Sequence, residues 1–345
     1  MRLLFDIVHP AHVHFFKNMI TALRASGHEI AILARQKDVT AELLDRYDLP
    51  YEILGQPSDK GRFGQGLELL RRDVRLVALC RRFRPRVILT RSPAGVQAGR
   101  LLGIKGVFDT DDGPAAGIHW KAAAPFAHVI TTPDCTPDYY GPKHLKYPGY
   151  KQMAYLHPDH FQPDEGVLSV LGVGRGERFF IVRFVAWMAS HDNGEGGLAY
   201  DAKVEIIRRL ERHGRVFISS EAPLPPEWES RRFSVGPHQM HHALAFASLL
   251  VGESQTMAAE AAVLGVPNIR VSSWAGRLDY LNELEQRYQL TRCFAPGDLT
   301  DFWQELDAHL ANAELRPLMQ ERRLRMLGEK QNVARWYVDY LTASA

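Results

Sequence analysis

The sequence predicts an α/β protein built from two doubly wound, Rossmann-like parallel-sheet domains, and three observations lead there. Short apolar strands alternate with helical segments along almost the whole chain. The alternation is interrupted by one turn-rich stretch, Tyr147-Pro148-Gly149-Tyr150. At 345 residues the chain exceeds what one hydrophobic core usually fills, so two units of roughly 150 to 170 residues are expected. A strand, a helix and a further buried strand make a βαβ unit, whose crossover aligns the strands in parallel and covers both faces of the sheet. Ligands of such sheets sit at the carboxyl ends of the strands, here expected in a cleft between the two halves.

The first half opens with a buried strand at Leu3 to Val8, followed by Val13, Phe16, Ile20 and Leu23 at helical spacing until Gly27 stops the helix. Glu29 to Ala34 reads as the second strand, Val39 to Tyr47 as a helix and Tyr51 to Leu54 as the third strand, with a loop at Gly61 to Gly66. Leu67 to Phe83 is a long basic helix, Val87 to Thr90 a strand, Gly95 to Leu102 a helix, and Gly106 to Phe108 and Val129 to Thr131 two further strands. After the linker, Phe179 to Phe184 is a strand, Ala202 to His213 a helix, and Val216 to Ser219 and Phe233 to Val235 strands. A helix at Met240 to Ala247, a strand at Leu249 to Val251, the helix through Met257 and a strand at Asn268 to Val271 follow. Helices at Leu278 to Tyr288, Asp298 to Ala311 and Glu314 to Leu327 complete the second half. The domains are therefore set at 1–147 and 148–327, with a last amphipathic helix in 328–345, through Trp336 and Tyr340, packing back across the linker.

Composition narrows the function. Hydrophobic residues make up 46% and charged residues 24%, which suits a globular protein and excludes disorder. A net charge of +2 does not call for nucleic acid as a partner. Cys80, Cys135 and Cys293 are far apart, which suggests neither a disulfide framework nor a zinc site and fits a cytoplasmic location. Asp6 and His9 interrupt an N-terminal apolar run too short for a signal or a membrane span. Arg71, Arg72, Arg75, Arg81 and Arg82, followed by Arg84 and Arg86, form either a solvated face or a peripheral contact with anionic lipid at the inner membrane face.

The most informative stretch is Leu249 to Pro267. An apolar strand delivers Gly252 and Ser254 to the start of an alanine-rich helix, where unpaired N–H groups and the positive dipole end favour an anion such as a diphosphate. Glu260, in the first turns of that helix, is placed to accept hydrogen bonds from ribose hydroxyls. Together they suggest a nucleotide-sugar site, with an ordinary strand-to-helix turn as the alternative. Gln255 and Thr256 belong to the same helix start.

Other motifs are weighed against this one. His9, His12 and His14 form an H-x-x-H-x-H metal pattern, but a metal barrel would need eight βα units and further ligands; no metal is expected. Asp109-Thr110-Asp111-Asp112-Gly113 contains a D-x-D, read as hydrogen bonding to an acceptor sugar or orienting His12, with an aspartate-rich turn as the alternative. Gly172-Val173-Gly174-Arg175-Gly176 precedes its strand rather than following it, so no NAD is expected. Arg91 follows a strand, where its guanidinium can grip an acceptor phosphate or carboxylate, with a solvated surface side chain as the alternative. Val185 to Leu198, with Trp187, His191 and Asp192, reads as a loop closing over ligand, in which His191 donates to a leaving diphosphate or is a satisfied loop histidine.

The chain resembles the GT-B superfamily of two-domain glycosyltransferases and the non-hydrolysing UDP-GlcNAc 2-epimerases that share its fold. More closely, it resembles an uncharacterised prokaryotic family within that superfamily. The resemblance is carried by Asp6-x-x-x-Pro10-x-His12-Val13-His14-Phe15-Phe16-Lys17, by Tyr147-Pro148-Gly149-Tyr150-Lys151, by Arg183-Phe184-Val185-x-Trp187 with His191-Asp192, and by Thr256-Met257-x-x-Glu260-Ala261-Ala262-x-Leu264-Gly265. It implies a metal-independent transferase that takes a nucleotide sugar as co-substrate, needs no other cofactor, and delivers the sugar to a hydroxyl acceptor, with epimerase or non-catalytic binding protein as alternatives. It also implies that the Ser254 helix start holds the diphosphate, Glu260 the ribose, and the loop Gly236-Pro237-His238-Gln239-Met240 the base. Gln255 stands where glycine is usual and would crowd a diphosphate unless it turned outward. Ala11-His12-Val13 matches a Gly-His-Val segment of the GlcNAc transferase of peptidoglycan synthesis, which makes His12 the candidate base, kept neutral at a helix N-terminus. Asp111 and His191 are the further catalytic candidates, and His14, Arg91 and Arg183 the candidate contacts to phosphate or acceptor.

Overall fold

The N-terminal apolar run forms β1 (Arg2–Ile7), in which every residue after Arg2 is buried. A strand covered on both faces belongs in the middle of a parallel sheet. In the computed structural model, which describes residues 1–35, 39–53, 73–184, 197–220 and 223–343, β1 pairs in parallel with β2 (Glu29–Ala34) on one side and β4 (Val87–Thr90) on the other. Adding β3 (Glu52–Ile53), β5 (Lys105–Asp109), β6 (Val129–Pro133) and β7 (His144–Tyr147) gives a seven-stranded sheet in the order β3-β2-β1-β4-β5-β6-β7, with every pairing parallel.

The first helix, α1 (Pro10–Ala25), begins where the sequence allows it to begin. His9 caps it by accepting from the Ala11 amide at 3.2 Å, and Pro10 fills the first position, where an N–H would have no intrahelical partner. Its buried stripe includes Val13, Phe16, Met19, Ile20 and Leu23. The remaining helices of this unit are α2 (Thr40–Arg46), α3 (helical over 73–83 among the described residues), α4 (Pro93–Leu102), α5 (Ile118–Ala123) and α6 (Met153–Leu156). The expected loop at Gly61 to Gly66, Leu54 and the start of the basic helix lie outside the described residues.

The chain divides into a unit of Met1–His160 with Gln331–Ala345 and a unit of Phe161–Lys330; the sequence-based divisions fall at 147/148 and 327/328. The second unit contains α7 (Gly166–Leu171), β8 (Phe179–Phe184), α8 (Tyr200–Glu211), β9 (Arg215–Ser220), α9 (Met240–Phe246), β10 (Leu249–Gly252), α10 (Gln255–Leu264), β11 (Asn268–Val271), α11 (Asp279–Gln286), β12 (Arg292–Phe294), α12 (Thr300–Ala311) and α13 (Leu315–Glu329). Its five strands run parallel in the order β12-β11-β10-β8-β9. Val182, Val251, Ile269 and Phe302 belong to the core on one face, and on α10 every residue from Met257 to Leu264 is buried. The last helix, α14 (Val333–Ala343), belongs to the first unit and packs on α1 and α6.

Three strand assignments differ from the expectation. Phe233 to Val235 is not a strand: a single bridge joins Ile218 to Arg232, and 3-10 turns at Pro226–Arg231 and Pro237–Gln239 bracket the segment. Conversely, β7 and β12 were not expected. Both are short edge strands with polar residues, His144 and Lys146 in one and Arg292 in the other, and so lack the apolar run that announces a buried strand.

Gly252 ends β10 opposite Arg183 of β8. A Cβ there would lie 2.2 Å from the Arg183 carbonyl oxygen, so only glycine lets the strands approach this closely. Gly252→Ala should therefore lower the stability of the chain by roughly 1–3 kcal/mol, measured by urea unfolding. An unchanged midpoint would show that the strands can separate at no cost.

Candidate functional site

In the first unit the carboxyl ends of β1, β4 and β5 surround a cavity of about 580 Å³ lined by His9, His12, Arg91, Asp109 and Asp112, among others. Arg91, the residue after β4, extends one guanidinium nitrogen to Asp109 and another to Asp111. Lys151 Nζ stands 2.6 Å from Asp111. Asp109 also accepts from the Tyr337 hydroxyl at 2.6 Å, and Tyr337 lies 2.7 Å from Thr131 Oγ1. Two carboxylates and two cations thus form one buried, charge-balanced group.

That group sets the protonation of its neighbours. Burial alone would raise the Asp111 pKa, but Arg91 and then Lys151 outweigh it and hold the carboxyl well below its usual range. Burial opposes the charge of Arg91, yet Asp111 and Asp109 overcome it and keep the guanidinium charged. Asp112, beside the Asp111 charge, is raised by that repulsion first and by burial second. His12 is lowered well below 6.5, chiefly by burial and then by the positive charges of Arg91, His9 and Lys151. Its Nδ1 lies 3.4 Å from the Val8 amide, so the neutral ring that accepts there carries its proton on Nε2.

The other expected residues of this unit divide. His14 does not join His12 at the cavity. It is buried against the rings of Tyr47 and Tyr155, with the Tyr47 hydroxyl 3.3 Å from its Nδ1, because residues two apart on a helix face away from each other. This corrects its expected contact with phosphate or acceptor, and the H-x-x-H-x-H pattern does not converge on one point. Arg91 does line the cavity, but as a clamp between carboxylates rather than as a solvated side chain.

In the second unit Ser254 caps α10, accepting from the Met257 amide at 3.3 Å, and the Ala258 amide bonds the Ser254 carbonyl at 3.1 Å. The amides of Gln255 and Thr256 precede that first intrahelical bond. The Gln255 side chain turns to Ser272 on the neighbouring chain segment, its Nε2 donating to Oγ at 3.1 Å. Glu260 is 5% exposed and lies 3.0 Å from His241 Nε2 on α9. This contact ties α10 to the helix that follows the Gly236–Met240 turn, and so brings together the two segments expected to hold a nucleotide. The turn is closed on itself: Gln239 N bonds Gly236 O at 2.8 Å, and the His238 ring folds over Gly236, where a Cβ would lie 2.8 Å from its Cε1. Arg183, at the end of β8, donates to Ser219 Oγ at 3.0 Å. His191 and the rest of 185–196 lie outside the described residues.

No protein-family model matches the chain, and no curated protein matches it in sequence. Solved structures do match in shape. Spinosyn forosaminyltransferase SpnP superposes with a TM-score of 0.67 at 15% identity, covering 99% of both chains. Glycosyltransferase VinC, in complex with dTDP, gives 0.61 at 12% identity over 100% of both chains. The UDP-GlcNAc 2-epimerase from Methanocaldococcus jannaschii gives 0.64 at 11% identity, covering 91% of this chain and 94% of that one. The chain has the GT-B fold. Both sheets are parallel, and His12, Arg91, Asp111, Arg183, Gly252, Ser254 and Glu260 lie on strand ends, on the turns that follow, or on the helices that begin there, whereas the Gly236–Met240 turn comes 16 residues after the end of β9 at Ser220.

Sequence reasoning missed the partners more than the centres. Lys151 and Tyr337 complete the Arg91 group from 40 residues or more along the chain, and His241 completes Glu260. The Tyr147-to-Lys151 motif was a signal for Lys151; nothing local marks Tyr337. Arg91→Leu would strand two buried carboxylates and should cost about 3–5 kcal/mol in urea unfolding. Because the Asp111 pKa is depressed in the fold, its contribution is in place above the ordinary value of 3.8 and is lost as the pH falls below it. Asp111→Asn should therefore flatten the fall in stability between about pH 4 and pH 2; a wild-type slope would show that Asp111 is not held as an anion.

Proposed function

We propose that the chain is a metal-independent glycosyltransferase that moves a sugar from a nucleotide donor, a UDP-sugar in the first instance, to a hydroxyl acceptor. The observation that carries this reading is the strand, turn and helix from Gly252 to Glu260 in a chain of GT-B fold, where the helix start offers amides and a positive dipole end to a diphosphate. Gln255 turning to Ser272 supports it, since the side chain expected to crowd a diphosphate is drawn aside. A ribose would share the Glu260 carboxylate with His241. The 236–240 turn takes the base, with Gly236, His238 and Met240 as its contacts. Arg183 and His191 neutralise the departing diphosphate.

On the acceptor side, His12 takes the hydroxyl proton. Its lowered pKa keeps the imidazole neutral and competent as a base at pH 7. For Nε2 to act as the base the ring proton must move to Nδ1, which gives up the long 3.4 Å bond from the Val8 amide and leaves that N–H without its acceptor, at a cost of about 1–3 kcal/mol. Asp111 acts as a fixed anion that orients Arg91 and Lys151, rather than as a proton carrier. Among the described residues no helix is long and apolar enough to cross a membrane; a cytoplasmic location, with Arg75, Arg81 and Arg82 at an anionic membrane surface, belongs to the proposal.

A second reading, an epimerase of the UDP-GlcNAc 2-epimerase type, is favoured by Asp112, whose raised pKa and place on the cavity wall suit proton exchange at a sugar carbon. A thermal-shift panel of nucleotides and nucleotide sugars tests the common ground, since a ligand at a hundred times its Kd adds about 2.7 kcal/mol. UDP release that requires an acceptor and falls at least about 100-fold in His12→Ala is the result expected of the transferase. Solvent deuterium entering the sugar without an acceptor would replace that reading with the epimerase. A panel without any shift would remove both.

A further inference from the structure

A second cavity, of about 650 Å³, opens in the second unit at the outer edge of its sheet, beside β12 and between α11, α12 and α13. Its size falls in the roughly 300–1,000 Å³ range of small-molecule sites. None of the residues assigned to the nucleotide line it.

The wall is polar but neutralises itself. Arg292 places Nε 3.2 Å from Glu305 and Nη1 3.9 Å from Glu285, and Arg322, which donates to the Gln289 carbonyl at 2.9 Å, is a second cation in the lining; two cations against two carboxylates leave the cavity favouring no net charge in its occupant. Asn282 donates its amide N–H to the Gly276 carbonyl at 2.9 Å, which leaves its carbonyl oxygen as an acceptor. Leu315, 8% exposed, supplies an apolar surface. Planar amides and carboxylates beside an apolar surface match a molecule that carries hydroxyls on its rim and C–H bonds on its face.

His309 gives the second, independent observation. It is 8% exposed and lines the cavity. Its Nδ1 lies 2.9 Å from the Glu305 backbone carbonyl, a group that only accepts, so Nδ1 carries the proton and Nε2 is a bare acceptor. That Nε2 is buried without a hydrogen-bond partner among the described residues. Burial lowers the His309 pKa, and a neutral ring with an unmet acceptor calls for a donor from a ligand.

We propose that this cavity binds an uncharged saccharide, one of whose hydroxyls donates to His309 Nε2. The site is distinct from the Ser254 helix start and does not depend on the reading of that helix start. The test is calorimetric titration of the full chain with glucose and N-acetylglucosamine, with and without UDP. Saturable binding that UDP leaves unchanged is expected. His309→Leu should weaken it at least about tenfold, while His309→Gln, which keeps an acceptor, should stay within about threefold. Histidine ¹⁵N spectra of the wild-type chain give a readout that needs no variant: the His309 Nε2 resonance should move on titration. No saturable binding, displacement by UDP, an unshifted Nε2 resonance, or equal binding by His309→Leu would each overturn the proposal.

Discussion

The buried pairing of Arg91 with Asp109 and Asp111 is the constraint on which the first unit depends. Asp109 ends β5 and Asp111 follows two residues later, so two carboxylates are driven into one low-dielectric region. Without compensation one of them would take up a proton. Arg91 from the end of the adjacent strand and Lys151 from beyond β7 supply that compensation, and Tyr337 and Thr131 occupy the remaining hydrogen-bonding space around Asp109. The neutral state of His12 follows from this, since a proton arriving there would meet burial and the Arg91 and Lys151 charges. The parallel sheet thus does more than support the cavity: it decides which of the groups around it are charged.

The fold was legible where strands are covered on both faces, because such strands read as predominantly apolar runs. β1, β4, β8 and β10 are of that kind. Legibility failed at sheet edges, where β7 and β12 carry polar residues, and at Phe233 to Val235, whose apolar content met no partner beyond one bridge at Arg232. At the candidate site, residues at strand ends could be read because parallel sheets place ligands there. Their partners could not, since pairings such as Arg91 with Lys151 or Glu260 with His241 are set by packing rather than by local pattern. His14 shows the limit within a single helix: its closeness to His12 in sequence says nothing of direction, and two residues of helical turn carried it into the packing around Tyr47.

In the second unit polar groups are distributed differently. Ser254 uses its hydroxyl on its own helix, Gln255 reaches across to Ser272, and Glu253 accepts from the Leu198 amide at 2.7 Å with Lys203 3.7 Å away. Consecutive side chains therefore brace the turn from three directions, and the main chain of the turn is held by its neighbours on β8 and β11. A turn fixed in this way has already given up its conformational entropy, the preorganisation on which the proposed diphosphate contact would draw.

The return of α14 to the first unit has a consequence for how the protein is made. Tyr337 is the hydroxyl that closes the space around Asp109, and residues 331–343 leave the ribosome only after all of 161–330. The bond between Tyr337 and Asp109 can therefore form only after the whole intervening unit has been synthesised. A chain lacking this helix would leave Asp109 without the Tyr337 hydroxyl, so a change near residue 337 would be felt in the sheet built from Arg2 to Tyr147.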